Sequence, residues 1–258
     1  MRKQGNHRIG AETIRFQETD STNLQAKRLA EEGAPEGTLV LAECQTAGRG
    51  RLGRSFSSPR GDGIFMTVIL RPDVPADQVS CLTLIAALAV QRGIAETVGT
   101  GCAIKWPNDI ILNGKKVCGI LTEMSMEGSE VRYVVIGIGI NCENREFPQE
   151  LREVATSLFL ETGRQTPKED LIRNIWTAFE PYYETFLEDH DLRELKNPYN
   201  ALLINRDREV TVLETDGAWK GIAQGINDRG ELLVKDTEGR VNAISTGEVS
   251  VRGVYGYV

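Results

Sequence analysis

Residues 48–54, which read Gly-Arg-Gly-Arg-Leu-Gly-Arg, restrict the fold of this chain more than any other stretch. Glycine weakens both helices and strands, and arginine side chains remain near water or an anion. We therefore predict a loop whose backbone can approach a ligand closely and whose guanidinium groups bind carboxylate or phosphate oxygens. Alternating Arg and Gly also occurs in RNA-binding tails, and a solvated basic loop is the simplest alternative.

The overall charge disfavours a nucleic-acid partner. The 258 residues include 30 Lys and Arg against 37 Asp and Glu, which gives a formal net charge of −7. Such a surface repels polyanions as a whole, so the basic loop is a local exception. We predict no DNA partner.

The use of cysteine, histidine and apolar residues indicates a cytoplasmic protein without a structural metal site. The five cysteines form no Cys-x-x-Cys pair, and one would stay unpaired in any all-disulfide scheme, which favours a reducing compartment. Neither of the two histidines lies at metal-ligand spacing from a second ligand. The apolar runs 82–90 and 134–140 are too short to cross a bilayer, and the N-terminus has no hydrophobic signal region, so we predict no membrane partner.

A polar cluster marks the start of the first predicted helix, over about residues 22–32. Thr22 with Gln25 reads as a capping box, and the simplest interpretation of Ser-Thr-Asn at 21–23 is a helix cap. These side chains both donate and accept hydrogen bonds, so they could equally hold a small polar ligand. Gln45 follows a short predicted strand, 38–43, that leads into the Gly/Arg loop.

Two further segments present charged side chains near predicted turns. Residues 103–109 end in Lys-Trp-Pro-Asn-Asp, and because proline has no amide hydrogen to give a strand ladder, we predict a turn there. Strands 110–112 and 116–124 are joined by Asn113-Gly114, a strong hairpin signal. Lys116 at the head of the second strand is either an edge charge that discourages aggregation or a placed cation.

The predicted strand 131–141 has one face without side chains. Gly137 and Gly139 alternate with Ile136, Ile138 and Ile140. Glycines at that spacing weaken a strand, so we predict that another backbone or a flat ligand lies against this face.

The C-terminal part of the chain changes in pattern. A helix begins near Thr166-Pro167, and Pro181 should kink or split it, whereas residues 196–205 read as a connection. From about residue 205, short predicted strands alternate with Gly-containing turns, which is typical of a small barrel.

The chemical motifs together resemble the biotin protein ligases. They occur in that family's order and span nearly the whole chain: residues 20–23 (Asp-Ser-Thr-Asn), 48–54, 105–109 (Lys-Trp-Pro-Asn-Asp), 116–121 (Lys-Val-Cys-Gly-Ile-Leu), 137–141 (Gly-Ile-Gly-Ile-Asn) and 247–252 (Gly-Glu-Val-Ser-Val-Arg). The resemblance implies an α+β fold, with a mixed or antiparallel sheet and flanking helices as in class II synthetases over residues 1–204. It also implies a small SH3-like β-barrel over residues 205–258.

The resemblance implies a two-step ligation. Biotin reacts with ATP to give biotinyl-5′-AMP, and a lysine of a biotin carboxyl carrier protein then takes the biotinyl group. Catalytic roles would fall to Lys116, Arg51 and Asp109. Biotin would be bound by Ser21, Thr22, Asn23, Gln45, Arg49, Gly50, Arg51 and Lys116.

ATP would be bound, by the same resemblance, by Arg51, Arg54, Phe56, Lys105, Asn108, Asn141 and Arg252. Mg²⁺ is expected with ATP, although no residue identifies itself as its ligand. Some relatives have tryptophan where this chain has Phe56. Many bacterial relatives carry an N-terminal winged helix that represses biotin synthesis genes, and the short polar stretch before the first predicted strand leads us to expect no repressor activity. A homodimer formed through sheet edges is compatible with the family.

Three alternatives belong to other classes of function. A lipoate or octanoate ligase or transferase would share the fold but lack this doubled Gly-Arg loop. A non-catalytic sensor of biotin or its adenylate would keep the binding residues alone. A nucleic-acid module would use the Gly/Arg loop, and the net charge disfavours it.

Overall fold

The computed structural model describes residues 9–214, 217–245 and 250–253, with backbone only in the last segment. Along the chain these residues form β1 (Thr13–Phe16), α1 (Thr22–Glu31), β2 (Leu39–Ala42), β3 (Gly63–Leu70), α2 (Cys81–Val98), β4 (Ala103–Lys105), β5 (Asp109–Leu112), β6 (Lys115–Glu127), β7 (Glu130–Asn141), α3 (Leu158–Thr162), α4 (Lys168–Asp189), α5 (Lys196–Leu202), β8 (Glu209–Glu214), β9 (Gly217–Ile226), β10 (Leu232–Asp236), β11 (Val241–Ile244) and β12 (Ser250–Gly253).

The larger sheet has seven strands in the order β1-β2-β3-β7-β6-β5-β4. β1 and β2 are parallel, and every other neighbouring pair is antiparallel, so the sheet is mixed. Alternate residues of the central strands point to opposite faces. Val40, Ile69 and Val135 pack with α1 on one face, whereas the other face packs against α2 and α4. The predicted α+β fold with flanking helices is confirmed.

Helix α2 is the core of the helical layer. The segment Ala76–Val98 is long and apolar enough to cross a membrane, but 67% of its most apolar window is buried inside the fold, as in the core helix of a globular domain. A Cβ added at Gly93 would lie 2.5 Å from Ile175 Cγ1, so only glycine allows α4 to approach α2 this closely. This contact fixes the helical layer over the sheet.

A second, antiparallel sheet has five strands in the order β11-β10-β9-β8-β12. It fits the predicted SH3-like unit. Trp106, 1% exposed, joins the two sheets because its indole Nε1 donates a hydrogen bond to the carbonyl of Gly230, 3.1 Å away. The turn at 106–108 therefore contacts the turn between β9 and β10 of the C-terminal sheet.

Local signals were reliable where a turn depends on its own residues. Asn113 and Gly114 have φ values of 49° and 81°, as a two-residue hairpin between β5 and β6 requires, so the predicted hairpin is confirmed.

The predicted capping box is wrong. Ser21 is the N-cap without a side-chain cap bond, and the hydroxyl of Thr22 bonds the side-chain oxygen of Gln45 at 3.1 Å instead.

A split of the helix at Pro181, one of the two outcomes predicted for that residue, is wrong, and so is the predicted connection at 196–205. Helix α4 is not split but continues through Pro181, because buried residues on both sides, including the stacked Phe179 and Tyr183, hold it in the core. Residues 196–202 form helix α5 and not a connection. This short helix is held by Tyr199, which is 1% exposed.

Candidate active site

A cavity opens on the α1 face of the large sheet, between β6, β7, the start of α1 and the Gly/Arg loop. It brings together ten of the predicted site residues: Ser21, Thr22, Asn23, Gln45, Arg49, Gly50, Arg51, Phe56, Asn108 and Lys116. Arg51 and Ile120 also line a second cavity of about 650 Å³ beside the N-terminal end of α2. Residues from distant parts of the sequence therefore share one site.

The Gly/Arg loop is closed on itself by backbone hydrogen bonds. The N–H of Phe56 donates to the carbonyl of Gly48 at 2.9 Å, and the N–H of Gly50 donates to Arg54 at 2.7 Å. A Cβ at Gly48 would lie 2.3 Å from the Phe56 carbonyl oxygen, so this position requires glycine. Leu52, at the tip, has a φ of 56° and is 65% exposed. The predicted loop thus has a defined shape, with apolar Leu52 facing solvent.

The bare glycine face is covered by two side chains of this chain and not by another backbone. The predicted flat ligand on this face stays a prediction. A Cβ at Gly137 would lie 1.9 Å from Asn23 Oδ1, and a Cβ at Gly139 would lie 2.7 Å from the ring of Phe56. The cavity holds only about 50 Å³, and drug-sized ligands occupy pockets of roughly 300–1,000 Å³. A ligand of that size therefore enters only when side chains such as that of Phe56 move.

The cationic end of the cavity contains an ion pair. Lys116 Nζ lies 2.6 Å from Asp109 Oδ1, and the two side chains are 26% and 13% exposed. Burial lowers the pKa of the nearby Arg51, which the Asp109 carboxylate opposes and the Arg54 charge reinforces. A guanidinium remains charged at neutral pH even so. This end therefore presents two cations, one of them already held beside a carboxylate.

A loop segment, residues 154–156, pairs with the backbone of Lys116 at the start of β6. The backbone N–H of Lys116 donates to Val154 at 2.9 Å, and its carbonyl accepts from Thr156 at 2.9 Å. The carbonyl of Thr156 also accepts a hydrogen bond from Asn141 Nδ2 at 3.0 Å. Nothing in the composition or spacing of residues 154–156 indicates this contact.

The opposite end of the cavity is lined by hydroxyl and amide groups. Gln45 Oε1 accepts hydrogen bonds from the backbone N–H of Thr22 at 2.8 Å and from its hydroxyl at 3.1 Å. Thr67, fully buried on β3, contacts Thr22 and Asn23. Thr67 and the neighbouring Glu123 were not predicted as site residues. The available signal was that Glu123 shares a strand face with Gly119 and Leu121, which line the cavity.

Five predicted residues do not line the cavity, and one of them, Asp109, borders it through its ion pair with Lys116. Arg54 is exposed beside the loop, Lys105 is 7% exposed on β4, and the amide of Asn141 binds Thr156. The backbone of Arg252 belongs to β12, and its side chain lies outside the described residues. Their roles stay predictions. Among the described residues, no group of three or more His, Cys, Asp or Glu side chains is suited to hold a metal ion.

Comparison with known proteins gives one consistent family. Residues 13–141 match the model of the biotin/lipoate A/B protein ligase family, and residues 207–252 match that of the biotin protein ligase C-terminal domain. The chain is 42% identical over 233 residues to the bifunctional ligase/repressor BirA of Bacillus subtilis (strain 168), covering 90% of this chain and 71% of that protein.

Two further relatives match over most of their length. The chain is 34% identical to a biotin–acetyl-CoA-carboxylase ligase of Paracoccus denitrificans, covering 86% of this chain and 93% of that one. The solved structure of the biotin protein ligase from Aquifex aeolicus in complex with biotin and ATP superimposes with a TM-score of 0.81 at 31% identity, covering 94% of this chain and 99% of that one. With the cavity and its motif residues, these matches show that the chain belongs to the biotin/lipoate A/B protein ligase family.

Proposed function

We propose that this chain is an ATP-dependent biotin protein ligase, which forms biotinyl-5′-AMP and transfers biotin to a lysine of a biotin carboxyl carrier protein. The observation that carries this proposal is the meeting of Arg51 and Lys116 in one cavity whose other end is lined by Thr22, Asn23 and Gln45. Its relatives include ligases named for biotin, one of them solved with biotin and ATP.

The first step joins two anions. A biotin carboxylate oxygen bonds to the α-phosphorus of ATP, the bond to the bridging oxygen breaks, and pyrophosphate leaves. Two unit charges 4 Å apart repel by about 4 kcal/mol at an effective dielectric of 20. Lys116 and Arg51 offset this repulsion and stabilise the charge that develops on the phosphoryl oxygens.

The second step uses the mixed anhydride. The amine nitrogen of the acceptor lysine bonds to the biotinyl carbonyl carbon, the carbon–oxygen bond to phosphate breaks, and AMP leaves. The amine loses a proton in this step, and Asp109 orients it or accepts the proton. The ion pair with Lys116 holds the Asp109 carboxylate beside the cationic end of the cavity, where the two substrates would meet.

The nucleotide would extend from Lys116 toward Phe56, Asn108 and Asn141. Arg54, Lys105 and Arg252 are proposed to contact the phosphates, where guanidinium and ammonium groups match anionic oxygens. Mg²⁺ would enter as the complex with ATP, with phosphate oxygens among its ligands.

The proposed arrangement of the chain is a catalytic domain over residues 1–204 and an SH3-like domain over residues 205–258. The C-terminal family match at 207–252 supports this division. We propose that the protein acts in the cytoplasm, since its five cysteines are free thiols, as a reducing compartment maintains them.

Mass spectrometry of an isolated carrier domain, incubated with the protein, biotin, ATP and Mg²⁺, tests the proposal. The expected result is addition of one biotinyl group to one lysine. ATP–pyrophosphate exchange with biotin and with lipoate separates the alternatives. Exchange driven by lipoate alone would identify a lipoate ligase, and biotin binding without exchange or transfer would identify a sensor.

A further inference from the structure

A carboxylate that the proposed mechanism does not use lies at the polar end of the cavity. Glu123, on β6, is 19% exposed at its side chain and has Lys27 Nζ 2.6 Å from Oε1. Its Oε2 accepts a hydrogen bond from Asn23 Nδ2 at 2.9 Å. Burial raises the pKa of Glu123, but the hydrogen bonds from Lys27 and Asn23 outweigh it and the net pKa is lowered. The group is therefore an anion at neutral pH.

This carboxylate fixes the orientation of the Asn23 amide. An ionised carboxylate can only accept, so it must face Nδ2, which also donates to the Leu121 carbonyl at 3.3 Å. Oδ1 consequently faces the hydroxyl of Thr67, 2.8 Å away. The nitrogen and oxygen of this side chain cannot exchange places while Glu123 keeps its charge.

The amide of Gln45 is fixed in the same sense from the other side. The backbone N–H of Thr22 donates to its Oε1 at 2.8 Å, and its Nε2 donates to Ser58 Oγ at 2.8 Å. Both amide oxygens therefore point toward the pair of threonine hydroxyls between them.

The result is a row of four oxygens that we call the oxygen chain: Asn23 Oδ1, Thr67 Oγ1, Thr22 Oγ1 and Gln45 Oε1. Successive contacts measure 2.8, 2.9 and 3.1 Å. Each threonine hydroxyl carries one proton and both ends are acceptors, so two protons serve three contacts. One contact in the oxygen chain has no proton, and a donor from a bound ligand relieves it.

We propose that Glu123 is a positioning residue that determines specificity. By holding the Asn23 amide with its oxygen toward Thr67, it keeps the oxygen chain one proton short, so this end of the cavity favours a ring that carries N–H donors. The inference rests on the proposed function, because the ureido ring of biotin supplies two such N–H groups. It also disfavours a dithiolane ring, which has none.

The substitution Glu123→Gln reverses this orientation. The glutamine has one oxygen and one NH₂ group, and the ammonium of Lys27 attracts the oxygen. Arg49 Nη1, at 3.8 Å from Glu123, is beyond hydrogen-bond distance. The NH₂ group then faces Asn23, whose amide turns its own NH₂ group toward Thr67 and gives up the bond to the Leu121 carbonyl, at 3.3 Å the longest of its three contacts. The oxygen chain gains its third proton from the protein and no longer needs one from the ligand.

Isothermal titration calorimetry with biotin tests this on the full chain. We expect Glu123→Gln to weaken biotin binding by about tenfold, the cost of one net hydrogen bond. Lys27→Met, the matched control, removes the same ion pair but leaves Glu123 facing Asn23, so its affinity should stay near that of wild type. In the double variant, only the Arg49 guanidinium, 3.8 Å away instead of the 2.6 Å of Lys27, still attracts the glutamine oxygen, so the oxygen can face Asn23 again and binding should recover at least in part.

Two cyclic carbamate analogues, each with a ring oxygen in place of one ureido N–H, give a second measurement. In wild type, one analogue should bind about tenfold more weakly than biotin, and this difference should shrink in Glu123→Gln. Wild-type binding of biotin tests the proposed function separately.

Two results would overturn the inference while leaving the ligase proposal intact. One is unchanged biotin affinity in Glu123→Gln. The other is a double variant as weak as Glu123→Gln together with an analogue penalty equal to that of wild type, which would indicate a purely structural role.

Discussion

The substitution Gly137→Ala tests the packing of the polar end directly. The new Cβ would lie 1.9 Å from Asn23 Oδ1, 2.8 Å from Cγ and 3.1 Å from Nδ2. Gly137 belongs to β7 between β3 and β6, so its backbone is paired on both sides and cannot retreat. The Asn23 amide must therefore move by more than an ångström, a large displacement for a buried side chain.

The magnitude follows from the hydrogen bonds that this movement breaks. Asn23 contacts Glu123 at 2.9 Å, Thr67 at 2.8 Å and the Leu121 carbonyl at 3.3 Å. Neutral hydrogen bonds contribute about 0.5–1.5 kcal/mol each and a bond to a charged group about 1.5–3 kcal/mol. Alanine recovers about 0.4–1 kcal/mol through the unfolded state. The expected net loss is about 2–4 kcal/mol, or roughly 5–15 °C in Tm.

The assay is thermal unfolding by circular dichroism, with biotin titration on the same preparations. Gly101→Ala is the matched control, because a Cβ there meets nothing within 4 Å and the residue has no positive φ. The control should stay within about 0.5 kcal/mol of wild type. A Gly137→Ala variant with the Tm and biotin affinity of the control would refute the contact between Asn23 and β7.

Three further predictions concern other parts of the site. Lys116→Ala should reduce ATP–pyrophosphate exchange by about a hundredfold or more while the circular dichroism spectrum is retained. The control Lys115→Ala removes a neighbouring ammonium that binds the Arg152 carbonyl, and it should leave the exchange rate unchanged. Equal rates in both variants would contradict the role of Lys116. Trp106→Phe removes the donor to the Gly230 carbonyl, and an unpaired buried acceptor costs about 1–3 kcal/mol, so Tm should fall by a few degrees. An unchanged Tm would exclude a stabilising hydrogen bond between Trp106 and Gly230. Because the pKa of Glu123 lies below its ordinary 4.5, the charged side chain should stabilise the fold relative to Glu123→Gln fully above about pH 4.5, and this effect should disappear as the pH falls through the lowered value. Urea unfolding of both proteins at pH 7 and pH 3 measures it. A difference in free energy of unfolding that does not change with pH would contradict the prediction.

Features that depend on neighbouring residues could be predicted from the sequence. The hairpin at Asn113-Gly114 forms because both residues tolerate positive φ. The Gly/Arg loop needs glycine at 48, where a Cβ would meet the Phe56 carbonyl oxygen, and at 53, where φ is 73°. The family resemblance, and not the spacing of the motifs, grouped the ten predicted residues that line the cavity, and their roles stay predictions.

Contacts between distant residues could not be predicted in the same way. Glu123 meets Asn23 across 100 positions of sequence, and neither residue type nor spacing indicates the pairing. The covered face of β7 shows the same limit. Gly137 and Gly139 indicated that something approaches, but the identity of the approaching groups depends on where α1 and the loop carrying Phe56 pack. Tertiary packing likewise overrides the tendency of Pro181 to end a helix.

The segment around Thr156 connects Lys116 to Asn141, a residue proposed to lie near the nucleotide. Two main-chain bonds attach the start of β6 to that segment, and the same Thr156 carbonyl receives the side chain of Asn141. The position of the Lys116 ammonium, which would neutralise the phosphoryl group, and the position of the Asn141 side chain therefore depend on the same loop segment. A change in the length of residues 142–153 would then alter the reactivity of Lys116 by displacing the segment to which its backbone is bound.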